Sequence, residues 1–277
     1  MKSTADPAPG AETKHAVRDF WNQASCGEDL YLSALDVAGF DAHMRKRYEL
    51  EPYIADFAKF SSSRGKHVLE IGVGIGADHQ QFAQAGAHLT GIDLTERAVL
   101  RTTERFRLNN LNSDLQVGDA EHLPFLNNTF DLVYSWGVIH HSPNTLAAVR
   151  EIERVLRVGG VARVMIYNYW SMIGLMLWLR YALLRGRPWQ GLTQMYCEHL
   201  ESPGTKAYTP SQAREMFSIF KSCTVNTVMT HGDLLEGQAG QRHQGILLSV
   251  ARKVWPRWLI RRLAPRAGLF MLIEAYK

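Results

Sequence analysis

Three glycines at alternate positions, Gly72, Gly74 and Gly76, follow a short β-branched run, and Asp93 ends a second apolar run 17 residues after the last of them. Glycine in such a turn lets a ligand lie closer to the backbone than a Cβ would permit. A carboxylate at the end of the second run is placed to accept hydrogen bonds from two ribose hydroxyls. These residues predict a strand, a glycine turn, a helix and a second strand that together bind an adenosine-containing cofactor.

The residues around the glycines distinguish between such cofactors. Dinucleotides are bound by Gly-x-Gly-x-x-Gly, where the start of the helix receives a pyrophosphate, whereas the glycines of this chain alternate. Glu70 stands just before the turn, and a carboxylate there would repel a pyrophosphate but suit a cationic or zwitterionic ligand. S-adenosylmethionine, which carries a sulfonium and an ammonium group, is a ligand of that kind.

Further motifs follow in order, and with them the chain resembles the class I S-adenosylmethionine-dependent methyltransferases, in particular small bacterial enzymes related to quinone and natural-product methyltransferases. The motifs lie at residues 68–76, 91–94, 118–125, 130–141 and 154–160, within a span of roughly residues 64–168. The resemblance implies an α/β fold with a Rossmann-like, doubly wound, mostly parallel seven-stranded sheet and helical lid additions.

The resemblance also assigns cofactor contacts, residue by residue. Asp93 would accept hydrogen bonds from the ribose hydroxyls, and Asp119 would accept one from the adenine amino group. Glu70 would hold the methionine amino group, while Ser135 and Trp136 would lie near the sulfonium. The full set that the resemblance implies is Glu70, Gly72, Gly74, Gly76, Asp93, Leu94, Asp119, Ala120, Ser135 and Trp136.

The alternation of apolar runs with segments of helical spacing predicts a parallel, doubly wound sheet. Strands are predicted at residues 67–71, 89–92, 115–117, 131–135, 161–167, 223–230 and 269–276. Residues 1–13 read as a disordered leader and residues 14–63 as a helical cap, with one of its helices at about residues 41–60. Residues 64–277 form the methyltransferase domain, with lid insertions at about 168–208 and 231–268.

Methyl transfer from a sulfonium requires alignment of the nucleophile and exclusion of water, and a general base only if the nucleophile arrives protonated. His140 follows the fourth predicted strand and is the first choice for that base. The candidates for an aromatic wall beside the sulfonium are Tyr48, Trp136, Tyr167, Tyr169 and Trp170. Adjacent histidines point in different directions, so His140 and His141 predict no metal site.

Composition predicts one globular unit, and the resemblance implies a small-molecule substrate. A formal charge of +4 over 277 residues is too small to indicate a nucleic acid partner. The three cysteines are widely separated, without disulfide or zinc-ligand spacing, which favours a reducing cytoplasm. The leader carries no apolar run of the secretory type.

Two apolar segments leave alternatives open. Residues 169–184 are 16 residues long, short of the about 20 that a bilayer span requires, and favour a lid or a homodimer contact over a membrane-contacting helix. Residues 252–266 alternate basic and apolar side chains without an acid. A helix packed on the domain with its arginines directed outward is favoured there over peripheral membrane contact.

The predicted function is methyl transfer to a small organic acceptor, a metabolite or natural product, by in-line displacement. The alternative is an enzyme of the same fold in which the methionine amine attacks intramolecularly, giving azetidine-2-carboxylate and methylthioadenosine. A protein that only binds the nucleoside would leave residues 136–141 and the lid without an assignment.

Overall fold

Seven strands form a single sheet in the order β3-β2-β1-β4-β5-β7-β6 in a computed structural model, which describes residues 11–236 and 255–277. Strands β1 to β5 are parallel to one another, and β7 lies antiparallel between β5 and β6. The predicted fold class is confirmed. The strands are β1 (His67–Ile71), β2 (His88–Asp93), β3 (Asp114–Val117), β4 (Phe130–Trp136), β5 (Leu156–Tyr167), β6 (Ser222–Val228) and β7 (Phe270–Tyr276).

Eleven α-helices lie within the described ranges, four of them before the sheet. They are α1 (Ala11–Gln23), α2 (Glu28–Tyr31), α3 (Val37–Leu50), α4 (Tyr53–Ala58), α5 (Ala77–Gln84), α6 (Glu96–Leu108), α7 (Thr145–Val155), α8 (Met172–Tyr181), α9 (Leu192–His199), α10 (Pro210–Met216) and α11 (Arg257–Leu263). No helix in residues 11–236 or 255–277 has the length and apolar character that crossing a membrane demands.

Side-chain oxygens begin several of these helices by accepting backbone N–H groups that have no partner inside the helix. Thr95 accepts from Ala98 N at the start of α6, and Ser171 accepts from Gly174 N at the start of α8. The predicted helix at residues 41–60 is divided into α3 and α4, because Pro52 disfavours helical geometry at the residue before it.

Strand β5 is longer than predicted. It begins at Leu156 rather than at Val161, so residues 157–160 belong to the strand and not to a preceding turn. The pairing shifts between Phe130, which lies opposite Leu156, and Leu132, which lies opposite Val161. Several residues of β5 therefore oppose one residue of β4, which is an irregularity of the β-bulge kind.

The core lies on both faces of the sheet because successive strand residues point to opposite sides. Leu69 of β1 packs in the cluster that includes Ile152 of α7. Its neighbour Val68 packs in the cluster on the other face with Phe82 of α5 and Phe106 of α6. Both strand residues are fully buried.

A buried arginine joins the N-terminal helices to the sheet. The guanidinium of Arg105 donates hydrogen bonds to Phe40 O at 2.9 Å, to Ile75 O at 3.1 Å and to Gln80 Oε1 at 2.5 Å. Burial lowers the pKa of Arg105 to about 10. The hydrogen bonds tie α3, α5 and α6 together behind the glycine turn.

Two predicted segments fall partly outside the described residues. Helix α1 begins at Ala11, so the last three residues of the predicted leader are helical, and residues 1–10 lie outside the description. Residues 237–254 of the second predicted lid also lie outside it. The division into leader, cap and domain stays a prediction.

Candidate active site

A cavity of about 620 Å³ opens at the carboxyl ends of β1, β2 and β4 and is covered by α1, α3 and α8. The sheet order reverses between β1 and β4. Ligands of doubly wound sheets bind outside the carboxyl ends of the strands at such a switch point. The glycine turn after β1, the acid that ends β2 and the loop after β4 all meet there.

The glycines of the turn serve two different purposes. Gly72 has a φ of +83°, and a Cβ at this residue would lie 2.1 Å from Val138 Cγ2. Gly74 has a φ of +54° and lines the cavity, and a Cβ there would have no described atom within 4 Å. Gly76 does not line the cavity but packs against Thr102. The space beside Gly74 is therefore the close approach that a cofactor needs.

Asp93 is fixed at the end of β2 by hydrogen bonds from three groups. Gly74 N donates to its Oδ2 at 3.2 Å, and Thr95 donates to its Oδ1 from its N at 2.9 Å and from its Oγ1 at 2.8 Å. Burial raises the pKa of Asp93. A carboxyl held in this way keeps acceptor capacity toward the cavity.

Glu70 and His79 share one proton, and the surrounding hydrogen bonds locate it. Ser113 donates its hydroxyl to Leu89 O at 2.9 Å, so His79 Nε2 must donate to Ser113 Oγ at 2.8 Å. Nδ1 of His79 then accepts from Glu70 Oε2, 2.8 Å away. Burial and the nearby Asp78 raise the pKa of Glu70 well above its usual range, and burial lowers the pKa of His79 to about 3. Glu70 therefore faces the cavity as a neutral carboxyl.

An ion pair that the sequence did not predict lies beside the glycine turn. Arg47 donates to both oxygens of Asp78, at 2.8 Å and 3.1 Å, and both residues line the cavity. Tyr48 donates to Asp78 Oδ1 at 2.9 Å, and Tyr134 donates to Oδ2 at 2.8 Å. Tyr48 does not line the cavity, so the structure contradicts its proposed place in the aromatic wall. The phenol is held behind Asp78 instead.

Helix α1 closes the cavity beside Asp119. Lys14 Nζ lies 2.6 Å from Asp119 Oδ2 and 2.7 Å from Glu121 Oε2. Although burial opposes ionisation, the hydrogen bond from Lys14 holds the pKa of Asp119 below its usual range. The acid that the resemblance assigns to adenine thus carries a negative charge and is paired with α1.

His140 does not reach the cavity. Its side chain is fully buried, and neither ring nitrogen has a hydrogen-bond partner among the described residues. Burial, together with the neighbouring His141 and Lys206, lowers the pKa of His140 well below its usual range. A base must contact the acceptor and take up a proton. The choice of His140 is therefore corrected.

His141 lines the cavity in its place. Its Nδ1 lies 2.8 Å from Ser202 Oγ and 3.1 Å from Thr205 Oγ1, and its Nε2 lies 3.4 Å from Glu201 Oε2. Tyr167 donates to the same oxygen of Glu201 at 2.7 Å. The result is a histidine with one nitrogen anchored and the other beside a carboxylate.

The remaining predicted contacts divide between the cavity and the core. Trp136 lines the cavity, with Arg47 Cζ 6.0 Å from its ring centroid. Ser135 is fully buried and does not reach the cavity, because the alternation of β4 turns it to the opposite face. Tyr169 packs against Trp170 and Tyr196, with ring centroids 4.8 Å and 6.2 Å away, and also misses the cavity.

The cavity brings together most of the cofactor contacts that the resemblance implied. Those that line it are Glu70, Gly72, Gly74, Asp93, Leu94, Asp119, Ala120 and Trp136. Gly76 and Ser135 do not line it, and neither do the three catalytic candidates, His140, Tyr48 and Tyr169. The individual roles of the lining residues stay predictions.

Two clusters among the described residues have the composition of a metal site, and in one of them, Asp119, Glu121 and His122, both acids are paired with Lys14. In the other, His140, His141 and Glu201 each bring one ligand atom within 4.8 Å of the other two. His141 Nδ1 is already engaged by hydroxyl groups, and Glu201 accepts from Tyr167. A bound cation would compete with these hydrogen bonds. The expectation of no metal site stays a prediction.

The part of the cavity beyond the glycine turn is mostly apolar. Helix α8 and the residues after it form one wall, and the start of β7 forms another. The apolar side chains of this region are Met165, Ile173, Met176, Leu177, Leu179, Leu184, Leu200, Leu235, Leu269 and Phe270. The apolar run at residues 169–184 was visible in the sequence, but its place on the cavity wall was not.

The switch-point cavity, the open glycine turn and the buried acids define a nucleoside-binding α/β domain of the class I methyltransferase type. Residues 69–164 match the family model that is described as a methyltransferase domain. The domain is that of an S-adenosylmethionine-dependent methyltransferase, and S-adenosylmethionine is its cofactor. The space at Gly74 and the acids at its edges fit such a cationic nucleoside.

Relatives match about a third of the chain. The chain is 34% identical over 100 residues to sterol 24-C-methyltransferase ERG6B of Gibberella zeae, which covers 35% of this chain and 26% of that protein. It is 39% identical over 98 residues to the phthiotriol/phenolphthiotriol dimycocerosates methyltransferase of Mycobacterium tuberculosis. That match covers 35% of this chain and 36% of that protein. The match thus spans no more than 36% of the length of either relative.

Solved structures share the fold over most of the chain. The YcgJ protein from Bacillus subtilis superposes with a TM-score of 0.53 at 16% identity, covering 82% of this chain and 98% of that one. The [4+2]-cyclase SpnF superposes with a TM-score of 0.52 at 16% identity, covering 97% of this chain and 94% of that one. Similarity at this level of identity concerns the fold alone.

Proposed function

We propose that this chain methylates an acceptor with a large apolar body and a protonated nucleophile at one end. The observation that carries the proposal is the apolar wall, which continues from the glycine turn to α8 within one cavity. An apolar body contributes about 25 cal/mol for each Å² that it buries, while a few polar groups fix its orientation. Ile173, Met176 and Leu177 provide such a surface on α8.

The names of several relatives support an apolar acceptor, whereas one relative is named as phosphoethanolamine N-methyltransferase 2 of Caenorhabditis elegans. One is named as a sterol 24-C-methyltransferase and another as a sterol 4-C-methyltransferase, strm-1 of Caenorhabditis elegans, which is 32% identical over 104 residues, covering 37% of this chain and 31% of that protein. The alternative, cyclisation with release of methylthioadenosine, is not favoured, because the relatives are named as methyltransferases.

His141 is the proposed general base. Thr205 donates its hydroxyl to Ser202 O at 2.6 Å, which leaves its oxygen able to accept from His141 Nδ1, 3.1 Å away. With its proton on Nδ1, His141 would hold the lone pair of Nε2, a buried atom in this structure, at the edge of the cavity. A proton taken by Nε2 would lie next to the Glu201 carboxylate, 3.4 Å away. Tyr167 keeps Glu201 in place through its own hydrogen bond.

The cofactor supplies an electrophilic methyl group whose displacement leaves a neutral thioether. The chain has to align the acceptor with that group and exclude water. Trp136, Tyr167 and Phe270 line the cavity between the glycine turn and the apolar wall, with Trp136 and Phe270 5.7 Å apart by ring centroids. These rings supply a desolvated surface that favours a cation.

The test is methyl transfer into a lipid fraction. The full chain is incubated with S-adenosylmethionine labelled on the methyl group and with either an organic-solvent lipid extract or the matching aqueous metabolite fraction. Label in lipid products and release of S-adenosylhomocysteine are expected, with both reduced in His141→Gln. Label only in water-soluble products contradicts the apolar acceptor, and methylthioadenosine without label transfer contradicts methylation itself.

A further inference from the structure

We infer that the mouth of this cavity docks on an anionic lipid bilayer. The contact is made by residues 183–189, Leu-Leu-Arg-Gly-Arg-Pro-Trp, which follow α8 and are called the docking segment. The inference rests on the proposed apolar acceptor, because an acceptor that resides in a membrane must reach the cavity from the bilayer.

Every residue of the docking segment is exposed. Leu184 is 68% exposed and Trp189 is 78% exposed. Leu184 also lines the cavity, together with Arg180 of α8. The exposed apolar surface is therefore continuous with the apolar wall inside. Tryptophan and leucine exposed side by side are typical of surfaces that enter the headgroup region of a bilayer.

The charge of this region complements an anionic surface. Arg185 and Arg187 stand within the docking segment, and no aspartate or glutamate occurs between Glu153 and Glu198. Guanidinium groups near anionic headgroups strengthen the binding of peripheral proteins. Two copies of the same basic segment would repel each other. Charge thus favours an anionic bilayer over a second copy of this chain as the occupant.

A second basic and apolar element lies on the same cavity. Trp255 lines the cavity and donates from its Nε1 to Asp233 O at 3.0 Å. Helix α11 follows directly, and its Trp258, Arg262 and Leu263 are exposed. The basic helix expected from residues 252–266 is thus packed on the domain at one end and bears exposed tryptophan and leucine on the other side.

None of the described helices is long and apolar enough to cross a membrane. The inferred contact is peripheral, and it is salt-sensitive because arginines contribute to it. The experiment is flotation of the full chain with vesicles of phosphatidylcholine alone or mixed with phosphatidylglycerol, without cofactor or acceptor. Flotation is expected with the mixed vesicles and is lost at high salt, because exposed charges are then screened.

Two double variants separate charge from apolar contact. Arg185→Glu with Arg187→Glu should weaken vesicle binding about 25-fold or more, since each arginine near an anionic surface contributes about fivefold. Leu184→Ser with Trp189→Ser should also weaken vesicle binding, because the apolar contact is lost.

The matched controls alter exposed residues elsewhere and should float normally. They are Arg64→Glu with Arg150→Glu and Leu126→Ser with Val158→Ser. Leu126 and Val158 are 84% and 86% exposed.

Three outcomes overturn the inference. The first is that the chain does not float with the mixed vesicles. The second is that the docking-segment variants float as well as the unmodified chain. The third is that sedimentation equilibrium shows a dimer, which Leu184→Ser with Trp189→Ser converts to monomers. Vesicle binding is measured without methyl transfer. A chain that methylates lipids but does not float would thus contradict only the docking, and one that floats but labels only water-soluble products would contradict only the proposed acceptor.

Discussion

The carboxyl group of Glu70 donates to Nδ1 of His79 across 2.8 Å, behind the glycine turn. The direction follows from Ser113, whose own hydroxyl is given to a backbone carbonyl. A neutral acid thus stands where the family pattern leads one to expect a carboxylate for the methionine amino group. Its protonation state is expected to change when a cation enters the cavity.

Binding of S-adenosylmethionine should therefore release a proton from Glu70. The raised pKa keeps Glu70 protonated in the free protein above its ordinary value of 4.5, and a bound cation favours the carboxylate. Affinity should rise with pH between 4.5 and the raised pKa. Calorimetry in buffers of different ionisation enthalpy measures the proton released, and Glu70→Gln should release none. Equal release by this variant would place the proton elsewhere.

His141→Gln should lower kcat by about 10² to 10⁴ while leaving cofactor affinity unchanged, as expected for loss of a general base. His140→Gln is the matched control, because it alters the adjacent buried ring and should keep kcat near that of the unmodified chain. Initial rates and calorimetry on both variants provide the comparison. Full activity of His141→Gln at every pH would remove the residue from the reaction.

Alanine at Gly72 and alanine at Gly74 should affect different properties, mainly stability at the first residue and mainly cofactor affinity at the second. Gly72→Ala places a Cβ 2.1 Å from Val138 Cγ2 and should destabilise the fold by at least the about 1–3 kcal/mol typical of overpacking. Gly74→Ala meets no described atom within 4 Å and should cost about 1–2 kcal/mol of backbone strain. Thermal unfolding and cofactor titration measure the two effects.

Because Gly74 borders the cavity, its variant should bind S-adenosylmethionine at least about tenfold more weakly, a loss of about 1.4 kcal/mol. Gly72→Ala should affect affinity mainly through the fraction of folded protein. Normal affinity in Gly74→Ala would show that no ligand lies against this part of the turn.

Asp93→Ala should weaken cofactor binding by about 1.5 to 3 kcal/mol, the scale of a lost hydrogen bond to a charged group. The variant also removes the acceptor of Gly74 N, so Thr95→Val is the control. That change removes the hydroxyl bond to Asp93 and the cap of α6 but keeps the carboxylate. Isothermal titration should show a much smaller loss for Thr95→Val. Equal affinities in all three proteins would exclude Asp93 from the site.

Local signals made much of the fold predictable. β1 has its predicted bounds of His67–Ile71, because an apolar β-branched run ends there in glycine. β5 was predicted too short, since Gly159 and Gly160 read as a turn, whereas the pairing with β4 accommodates them in an irregular strand. A residue pattern does not reveal such accommodation, which depends on the neighbouring strand.

The cofactor side of the site followed the motifs, but the catalytic side did not. His140 and His141 are adjacent in a short 3-10 turn, Ile139–His141, and only the orientation of that turn decides which ring reaches the cavity. Glu201 and Arg47 join the site from distant segments. The sequence around Glu201 and around Arg47 does not indicate that either residue lines the cavity, because tertiary packing alone brings the two residues there.

Arg105 also bears on how spent nucleoside leaves after each turnover. Its hydrogen bonds to the backbone at Phe40 and Ile75 join α3 to the glycine turn, and a hydrogen bond from a charged group contributes about 1.5–3 kcal/mol. Helix α1 is held beside Asp119 by partly exposed Lys14, where each ion pair is worth about 1 kcal/mol or less. Release of a bound nucleoside is therefore expected to be easier on the α1 side of the cavity than on the α3 side.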